Sequence, residues 1–333
     1  MPDNPTTRRL ITIPLMVLVF ASLTLLAPLW ALAAASIDVV RLVSSGKPWV
    51  ATRGLAFLWV YLLGEIWALL ALAASWPLPR SAKERITFGL QGVWANWNVR
   101  ALCRLFSITI EADGAEKAKR GPIIMLSRHA SMVDTMLPAH LVATPFQIRL
   151  RYVLKRELLI DPALDVAGNR LPNYFIDRSG ADTSEEVTAI AALATDLQDD
   201  EGVLIYPEGT RFSEEKRRLY VERLSRRGGA LGELASGFRK VLPPRAAGTL
   251  AILEASTADV VVLAHVGLEG LATIREIWGG GLVGTTIEVS FWRIPRSAIP
   301  PDRNDQVTWL FELWRAVDEW VVERTGGDSS LSS

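Results

Sequence analysis

The sequence is poor in the residues that build disulfides, metal centres and nucleic-acid-binding surfaces. Among its 333 residues there is one cysteine, Cys103, and there are three histidines, at positions 129, 140 and 265. A single cysteine excludes an internal disulfide, and so few thiol and imidazole ligands argue against a zinc site. Basic and acidic side chains number 36 each, so the formal net charge is zero. Nucleic-acid-binding proteins normally carry a basic excess, and we therefore expect no nucleic-acid partner.

The charge is balanced only on average, because two parts of the chain differ in composition. Residues 1–100 carry nine basic and four acidic side chains, a net charge of +5, whereas the remainder carries 27 and 32, a net charge of −5. The cationic part also holds two long apolar runs. Residues 10–37 contain no charged side chain, and residues 54–79 contain only Glu65. A bilayer core of about 30 Å needs about 20 apolar residues in a helix, so each run is long enough to cross it.

We interpret residues 1–90 as a membrane-anchoring helical hairpin made from these two runs, with the lipid bilayer as its partner. A cleaved signal peptide is the alternative, since Arg8 and Arg9 precede the first run and small residues follow at 31–35. The first run is longer than the apolar part of a signal peptide and a second run follows it, which favours retained segments. Two full spans and a half-inserted hairpin both remain open. A buried Glu65 would be costly in either case, and we expect it to find a partner.

Beyond residue 107, short apolar runs alternate with segments of helical periodicity. Strands are predicted at 108–111, 122–126, 152–154, 174–176, 203–206, 260–266 and 286–292. Helices are predicted from Ser131 onward and at 184–199, 214–227 and 307–322. This alternation predicts an α/β domain with a mixed, largely parallel sheet flanked by helices. We assign it to residues 91–325 and expect a disordered tail at 326–333.

The first segment with chemical potential is His129-Ala-Ser-Met-Val-Asp134, directly after a predicted strand. Side chains five residues apart lie about 140° apart on a continuous helix, so the two can meet only if His129 precedes the helix. A carboxylate that accepts one ring N–H leaves the other ring nitrogen available as a base near neutral pH. The alternative is an N-terminal capping arrangement of Ser131 and Asp134, with His129 in a loop. Both interpretations can hold together.

The second segment is Tyr-Pro-Glu-Gly-Thr-Arg at 206–211, which also follows a predicted strand. A strand that ends in a glycine turn delivers side chains to the carboxyl edge of a sheet, where α/β proteins bind ligands. Arg211 offers a planar fork suited to a phosphate. The alternative is an ordinary turn with Glu208 and Arg211 as a surface pair. His265, in an apolar strand, is expected to be a core residue.

In this order and spacing the segments resemble those of the glycerolipid acyltransferases, in particular the 1-acylglycerol-3-phosphate (lysophosphatidate) acyltransferases. That family reads His-x-x-x-x-Asp, then Phe-Ile-Asp-Arg, then Phe/Tyr-Pro-Glu-Gly-Thr-Arg, and this sequence matches at 129–134, 175–178 and 206–211. The resemblance covers roughly residues 90–325, and its later part, with Leu-Pro-Pro-Arg at 242–245, is similar to the long eukaryotic-type branch. Two positions depart from the family. Arg128 stands where Asn is common, and segment 260–268, which contains His265, lacks the usual proline.

The resemblance implies transfer of a fatty acyl group from acyl-CoA, or from an acyl carrier protein, to the free sn-2 hydroxyl of lysophosphatidate. His129 would be the general base that activates the hydroxyl, and Asp134 would orient it. A lysine in a segment like Lys-Arg-Glu-Leu at 155–158 also sits where the family carries one. This lysine and the remaining motif residues would bind the acceptor, the cations among them on its phosphate: Glu208, Gly209, Thr210, Arg211, Arg178 and Lys155. No bound cofactor and no metal is implied, and the site would face the cytoplasm from a bacterial inner membrane or the endoplasmic reticulum.

Two alternatives remain at this level. The same chemistry could act on another acceptor, such as glycerol-3-phosphate, a lysophosphatidylinositol-type lipid or another lysophospholipid. A membrane-anchored lipid-binding protein without catalysis is the other possibility, although a binding protein needs no His–Asp pair.

Overall fold

The computed structural model describes residues 3–176, 184–269 and 273–326, in which four long helices precede a seven-stranded sheet with further helices. The helices are α1 Pro5–Leu25, α2 Ala27–Ser45, α3 Ala51–Ala74, α4 Arg80–Phe106, α5 Thr144–Phe146, α6 Pro162–Gly168, α7 Ser184–Ala192, α8 Glu214–Arg227, α9 Ala230–Ser236, α10 Ala246–Ala255, α11 Ile274–Gly279 and α12 Arg303–Thr325. The strands are β1 Thr109–Asp113, β2 Ile123–Ser127, β3 Arg149–Lys155, β4 Tyr174–Ile176, β5 Glu201–Ile205, β6 Asp259–Val266 and β7 Thr286–Ile294. Short 3-10 turns at Ala115–Ala118, Val133–Met136, Arg156–Ile160 and Arg296–Ala298 and a π-helical turn at Ala139–Ala143 complete the described elements.

The N-terminal region differs from the predicted hairpin, because its first apolar run forms two helices. α1 ends at Leu25 and α2 begins at Ala27, with Pro28 in its first turn. A proline has no N–H to donate and its ring clashes with the carbonyl four residues earlier, so the chain stops one helix and starts another there. Three helices (α1, α2 and α3) are therefore long and apolar enough to cross a membrane, by length and composition. The proposed boundary at residue 90 falls within α4 and stays a prediction.

Buried polar groups tie the apolar helices to the connection between β3 and β4. The guanidinium of Arg8 in α1 donates to the carboxylate of Asp165 in α6 at 2.8 Å, and both side chains are buried. Glu65 in α3 accepts hydrogen bonds from the indole of Trp94 at 2.8 Å and from the backbone amide of Ala163 at 3.2 Å. Glu65 thus has the partners that its burial requires. The connection held in this way begins directly after Lys155.

The sheet has the strand order β1-β7-β6-β2-β5-β3-β4, and its pairs are parallel except for the antiparallel pair of β6 and β7. Each of the seven predicted strands overlaps one of these, which confirms the mixed, largely parallel sheet. Helix α7 ends at Ala192, earlier than the predicted 199, and turns follow in which Asp196 has a positive φ of 54°. The predicted tail lies outside the described residues apart from Gly326.

The central strands are buried on both faces, which explains why they read as continuous apolar runs in the sequence. Alternate residues of β2 enter two hydrophobic clusters: Leu126 packs with residues of α7, α10 and α12, and Met125 packs with residues of α4. All five residues of β2 and all five of β5 are buried. The carboxyl ends of these strands are therefore fixed by the core on both sides, and they carry the two motifs.

Candidate active site

Three neighbouring strands bring the candidate residues to one edge of the sheet. β2 lies between β5 and β6 and is parallel to both, with Leu126 opposite Ile205 and Ser127 opposite Leu263. The segments that follow β2 and β5 therefore leave the sheet side by side at its carboxyl edge. His265 lies near the end of β6, on the other side of β2.

The side chains of His129 and Asp134 are in contact. Nδ1 of His129 lies 3.0 Å from Oδ1 of Asp134, and Oδ2 of the same carboxylate accepts the backbone N–H groups of Ala130 at 2.6 Å and Ser131 at 2.7 Å. The hydroxyl of Ser131 accepts the N–H of Val133 at 2.9 Å. The turn thus combines both geometries left open by the sequence, a His–carboxylate pair and a capping arrangement, because each uses a different oxygen of Asp134.

The helix predicted from Ser131 is not an α-helix. A 3-10 turn spans Val133–Met136, and the chain then passes through Pro138 into the π-helical turn at Ala139–Ala143. Pro138 cannot donate to the carbonyl of Asp134, as residue 138 of an α-helix would, so the regular ladder cannot form across this point. The tight turn is what lets Asp134 reach back to His129.

The protonation of the pair follows from its surroundings. Burial by itself raises the pKa of Asp134, but hydrogen bonds from His129 and His265 outweigh it and hold this pKa well below its usual value. The carboxylate is therefore ionised at neutral pH and can accept the Nδ1–H of His129. In the neutral ring with this tautomer, Nε2 carries the lone pair. The imidazole packs on the ring of Tyr206 with centroids 4.6 Å apart, and His129 is 7% exposed.

Glu208 is fully buried and clamps the backbone of two segments, so it is not the surface partner of Arg211 that the ordinary-turn alternative required. Its Oε1 accepts the N–H of His129 at 2.8 Å, and its Oε2 accepts the N–H of Leu242 at 3.0 Å. Burial raises its pKa to about 7, although the nearby Arg128 guanidinium and these two amides counteract the shift. Glu208 thus holds His129 through the main chain.

Gly209 is required by the shape of the turn. Its φ is +67°, a backbone conformation that residues other than glycine rarely adopt. A Cβ atom at this position would lie 2.8 Å from Cδ of Arg245. Its own N–H donates to the carbonyl of Tyr206 at 2.8 Å, while the N–H of Arg245 donates to that of Pro207 at 2.8 Å. Segment 242–245 thus closes over the turn, which the sequence alone did not reveal.

Thr210 and Arg211 lie half-buried on the same turn, beside a lysine from α8. Nζ of Lys216 donates to the hydroxyl of Thr210 and to the carbonyl of Arg211, both at 3.1 Å. The next N–H along the chain, that of Phe212, donates to the carbonyl of His129 at 3.0 Å. His129 is therefore bonded to segment 206–212 through both its N–H and its C=O, and the two motifs form one structural unit.

The other two predicted cations are Lys155 and Arg178. Lys155 is the last residue of β3, adjacent to β5, and pairs with Ile176 at the end of β4, so it lies at the same edge of the sheet. Arg178 lies outside the described residues, two positions beyond the end of β4. The structure therefore brings together His129, Asp134 and the turn at 208–211, with Lys155 two strands away from β2 at the same edge.

Two residues behind the pair were missed in the sequence. His265 is fully buried, as expected for a core residue, but its Nε2 lies 3.6 Å from Oδ2 of Asp134 and 3.1 Å from the carbonyl oxygen of Arg128. The guanidinium of Arg128, 1% exposed, contacts the carboxylate of Glu269. The signal was present, since Arg128 and His265 stand at the two places where the sequence departs from the family. Across the described residues, no group of three or more His, Cys, Asp or Glu side chains could hold a metal ion.

Comparison with known proteins gives a family match. The acyltransferase family model matches residues 109–264, a segment that contains both motifs. This match confirms the resemblance to acyltransferases drawn from the sequence.

The similar proteins include named 1-acyl-sn-glycerol-3-phosphate acyltransferases. The chain is 24% identical over 262 residues to 1-acyl-sn-glycerol-3-phosphate acyltransferase gamma of Mus musculus and of Homo sapiens. The match covers 75% of this chain and 66% of each relative, so the chain spans just under two thirds of the length of those relatives. The crystal structure of the 1-acyl-sn-glycerophosphate acyltransferase PlsC of Thermotoga maritima has the same fold, with a TM-score of 0.55, 15% identity and coverage of 81% of this chain and 95% of that one.

Proposed function

We propose that the protein transfers a fatty acyl group from acyl-CoA to the free sn-2 hydroxyl of lysophosphatidate, giving phosphatidate and CoA. The observation that carries the proposal is the His129–Asp134 pair, bonded through the backbone of His129 to the turn at 206–212. The family and the named relatives support acyl transfer to a glycerolipid. The donor and the position of the hydroxyl are our own assignment.

The chemistry follows from the protonation state of the pair. Nε2 of His129 takes the proton of the acceptor hydroxyl while the oxygen of that hydroxyl attacks the carbonyl carbon of the thioester. The carbon–sulfur bond then breaks, and the proton passes from the imidazolium to the leaving thiolate, which departs as the CoA thiol. The Asp134 carboxylate stabilises the imidazolium in between and keeps Nδ1 protonated. No covalent acyl-enzyme is required.

The remaining motif residues are proposed to hold the acceptor. Arg211 and Lys155 lie at the same edge of the sheet as His129, and a phosphate bound by their cations would orient the neighbouring hydroxyl. Arg178 is proposed for the same role from its position in the sequence. Gly209 and Thr210 shape the turn, and Glu208 holds it against His129.

The apolar helices fit these substrates. Lysophosphatidate and acyl-CoA both carry long acyl chains, which partition into a bilayer. Helices α1, α2 and α3 expose large apolar side chains along their length, so a membrane would cover surfaces that water would not favour. We propose that the protein is membrane-bound, with its active site open to cytoplasmic acyl-CoA.

The test is an acceptor and donor panel with the full chain purified in detergent. Labelled oleoyl-CoA is offered with lysophosphatidate, glycerol-3-phosphate or lysophosphatidylinositol, and acyl carrier protein replaces CoA in a parallel set. We expect phosphatidate to form fastest from lysophosphatidate and acyl-CoA, and His129→Ala to abolish the reaction. Turnover of another acceptor only would replace lysophosphatidate in the proposal, and binding without turnover of any acceptor would favour a lipid-binding protein.

A further inference from the structure

Arg128 and His265, which lie in the two parts of the sequence that depart from the family, are in contact in the structure. Arg128 ends the run of residues that pair β2 with β6, since its N–H donates to the carbonyl of Leu263 at 3.0 Å. His265 lies two residues further along β6. Two residues that are far apart in the sequence therefore meet directly behind His129.

Arg128 and His265 hold each other through reciprocal contacts. Nη1 of Arg128 donates to the backbone carbonyl of His265, and Nε2 of His265 lies 3.1 Å from the backbone carbonyl oxygen of Arg128. Nη1 also donates to the carboxylate of Glu269, whose other oxygen accepts the N–H of Gly267 at 2.6 Å. Nη2 donates to the carbonyl of Lys240 at 3.1 Å. The guanidinium is buried, and an ion pair with several hydrogen bonds is what such burial requires.

The imidazole of His265 faces the second oxygen of Asp134. Its Nε2 lies within hydrogen-bond distance of the carbonyl oxygen of Arg128, at 3.1 Å, and it also lies 3.6 Å from Oδ2 of Asp134. Its Nδ1 is buried and has no hydrogen-bond partner in the part of the chain that the structure describes. A proton on Nδ1 would be an unsatisfied buried donor, so a hydrogen on Nε2 is the arrangement that fits. His265 thus donates to the carbonyl of Arg128 and holds the same N–H beside Oδ2 of Asp134.

We propose that His265 is a positioning residue for the His129–Asp134 pair, held in place by the Arg128–Glu269 ion pair. The proposal rests on the function proposed above and adds a residue to it. Asp134 is then held on both oxygens, Oδ1 by His129 and Oδ2 by two amides, with the imidazole of His265 placed 3.6 Å from Oδ2. The carbonyl immediately before His129 is fixed by the same imidazole. Arg128 and His265 act as one unit, because each bonds to the main-chain carbonyl of the other.

The first experiment compares His265→Met and His265→Gln. Methionine fills a similar volume without a donor, whereas the glutamine amide nitrogen can reach the position of Nε2 and donate from it. We expect H265M to lower kcat by roughly 10-fold or more with both KM values nearly unchanged, since a misplacement of about 1 Å can cost 10²-fold. H265Q should recover most of that loss. His140→Gln, at a histidine outside the site, is the matched control and should retain the wild-type kcat.

A second readout does not depend on turnover. With three histidines in the chain, ¹⁵N-histidine NMR in detergent micelles can assign each ring by comparing H140Q and H265Q with the wild type. We expect His129 to show a protonated Nδ1 and an unprotonated Nε2 in the wild type and in H265Q, and to lose that defined tautomer in H265M. Unchanged His129 signals and unchanged kcat in H265M would overturn the positioning role.

The two readouts separate the failure of this inference from the failure of the proposed function. If the wild type transfers no acyl group but H265M alone disturbs the tautomer of His129, the function is wrong and the positioning role stands. If the wild type is active and H265M and H265Q lose kcat equally, the ring of His265 contributes packing and the positioning role is wrong.

Discussion

The two sides of the candidate site differ in how firmly they are built. On the side of the proposed base, Asp134 and Glu208 are fully buried and His129 is 7% exposed, and hydrogen bonds fix all four carboxylate oxygens. On the side proposed for the acceptor, Arg211 and Lys155 are half-buried, and their charged groups are at the ends of long, flexible side chains. One side is complete before any substrate arrives, and the other has cations that can adapt to a ligand.

This difference assigns different kinetic consequences to the two sides. A prepositioned base and its orienting carboxylate act on the chemical step, so changes there should appear in kcat. Cations that bind a phosphate without touching the reacting atoms should appear mainly in the KM of the acceptor. Variants on each side can therefore test whether the two sides act on different kinetic constants.

Asp134→Asn should have the largest effect. An asparagine must present its NH₂ group either to Nδ1 of His129 or to the amides of Ala130 and Ser131, so one set of contacts is lost. With its NH₂ group toward Nδ1 the wrong tautomer of His129 is favoured, and we expect kcat to fall by about 10³-fold or more. Steady-state kinetics with lysophosphatidate and acyl-CoA measure this. A D134N variant with a changed KM and an intact kcat would contradict the assignment of this side to the chemical step.

Glu208→Gln tests how the buried side responds to pH. Burial raises the pKa of Glu208 from 4.5 to about 7, so the folded protein binds a proton between these values that the unfolded chain releases. Stability contributed by this group is therefore present at low pH and lost as the pH rises toward 7. Glutamine does not titrate. The stability advantage of the wild type over E208Q should shrink by up to about 3 kcal/mol between pH 4.5 and pH 8, at ~1.4 kcal/mol per pKa unit.

Unfolding at a series of pH values in detergent checks this expectation. The difference between wild type and E208Q removes the contributions of other titrating groups, which both proteins share. A difference in stability between wild type and E208Q that is constant with pH would show that Glu208 keeps its ordinary pKa. Its carboxylate would then accept the N–H groups of His129 and Leu242 in the ionised form across this pH range.

Arg211→Ala should affect the other side of the site and by less. Loss of a bidentate phosphate contact should raise the KM for lysophosphatidate roughly 10-fold, with kcat and the KM for acyl-CoA changed little. Arg211→Lys should recover part of the loss, because the charge remains but the fork does not. Arg218→Ala, at an exposed position of α8, is the control for a general change in charge. An effect of R211A confined to acyl-CoA would move Arg211 to the donor.

Much of this arrangement could be predicted from the sequence because strands and turns leave local signals. The apolar runs predicted all seven strands, and the spacing of His129 and Asp134 already required a turn between them. Contacts between distant segments left no such signal. The closure of Arg245 over Gly209, the clamp from Glu208 to Leu242 and the docking of Arg8 on Asp165 depend on how the sheet aligns residues that are far apart in the chain. The apolar run at 10–37 was interpreted as one span because the sequence does not show which of its prolines ends a helix. Helix α1 continues through Pro14, whereas the chain breaks just before Pro28.

Cys103→Ser should have the smallest effect, and it tests whether the acyl group ever becomes attached to the protein. Cys103 lies in α4, outside both motifs, and burial raises the pKa of its thiol, so little of it is the nucleophilic thiolate at neutral pH. Direct attack by the acceptor hydroxyl needs no nucleophile from the protein, and we expect C103S to keep kcat within about twofold of the wild type. Incubation with labelled acyl-CoA in the absence of acceptor should leave no label on the denatured protein. Label that appears on the wild type but not on C103S would show a thioester intermediate, and His129 would then have to activate a thiol that lies on a different element from the strand ends carrying the site.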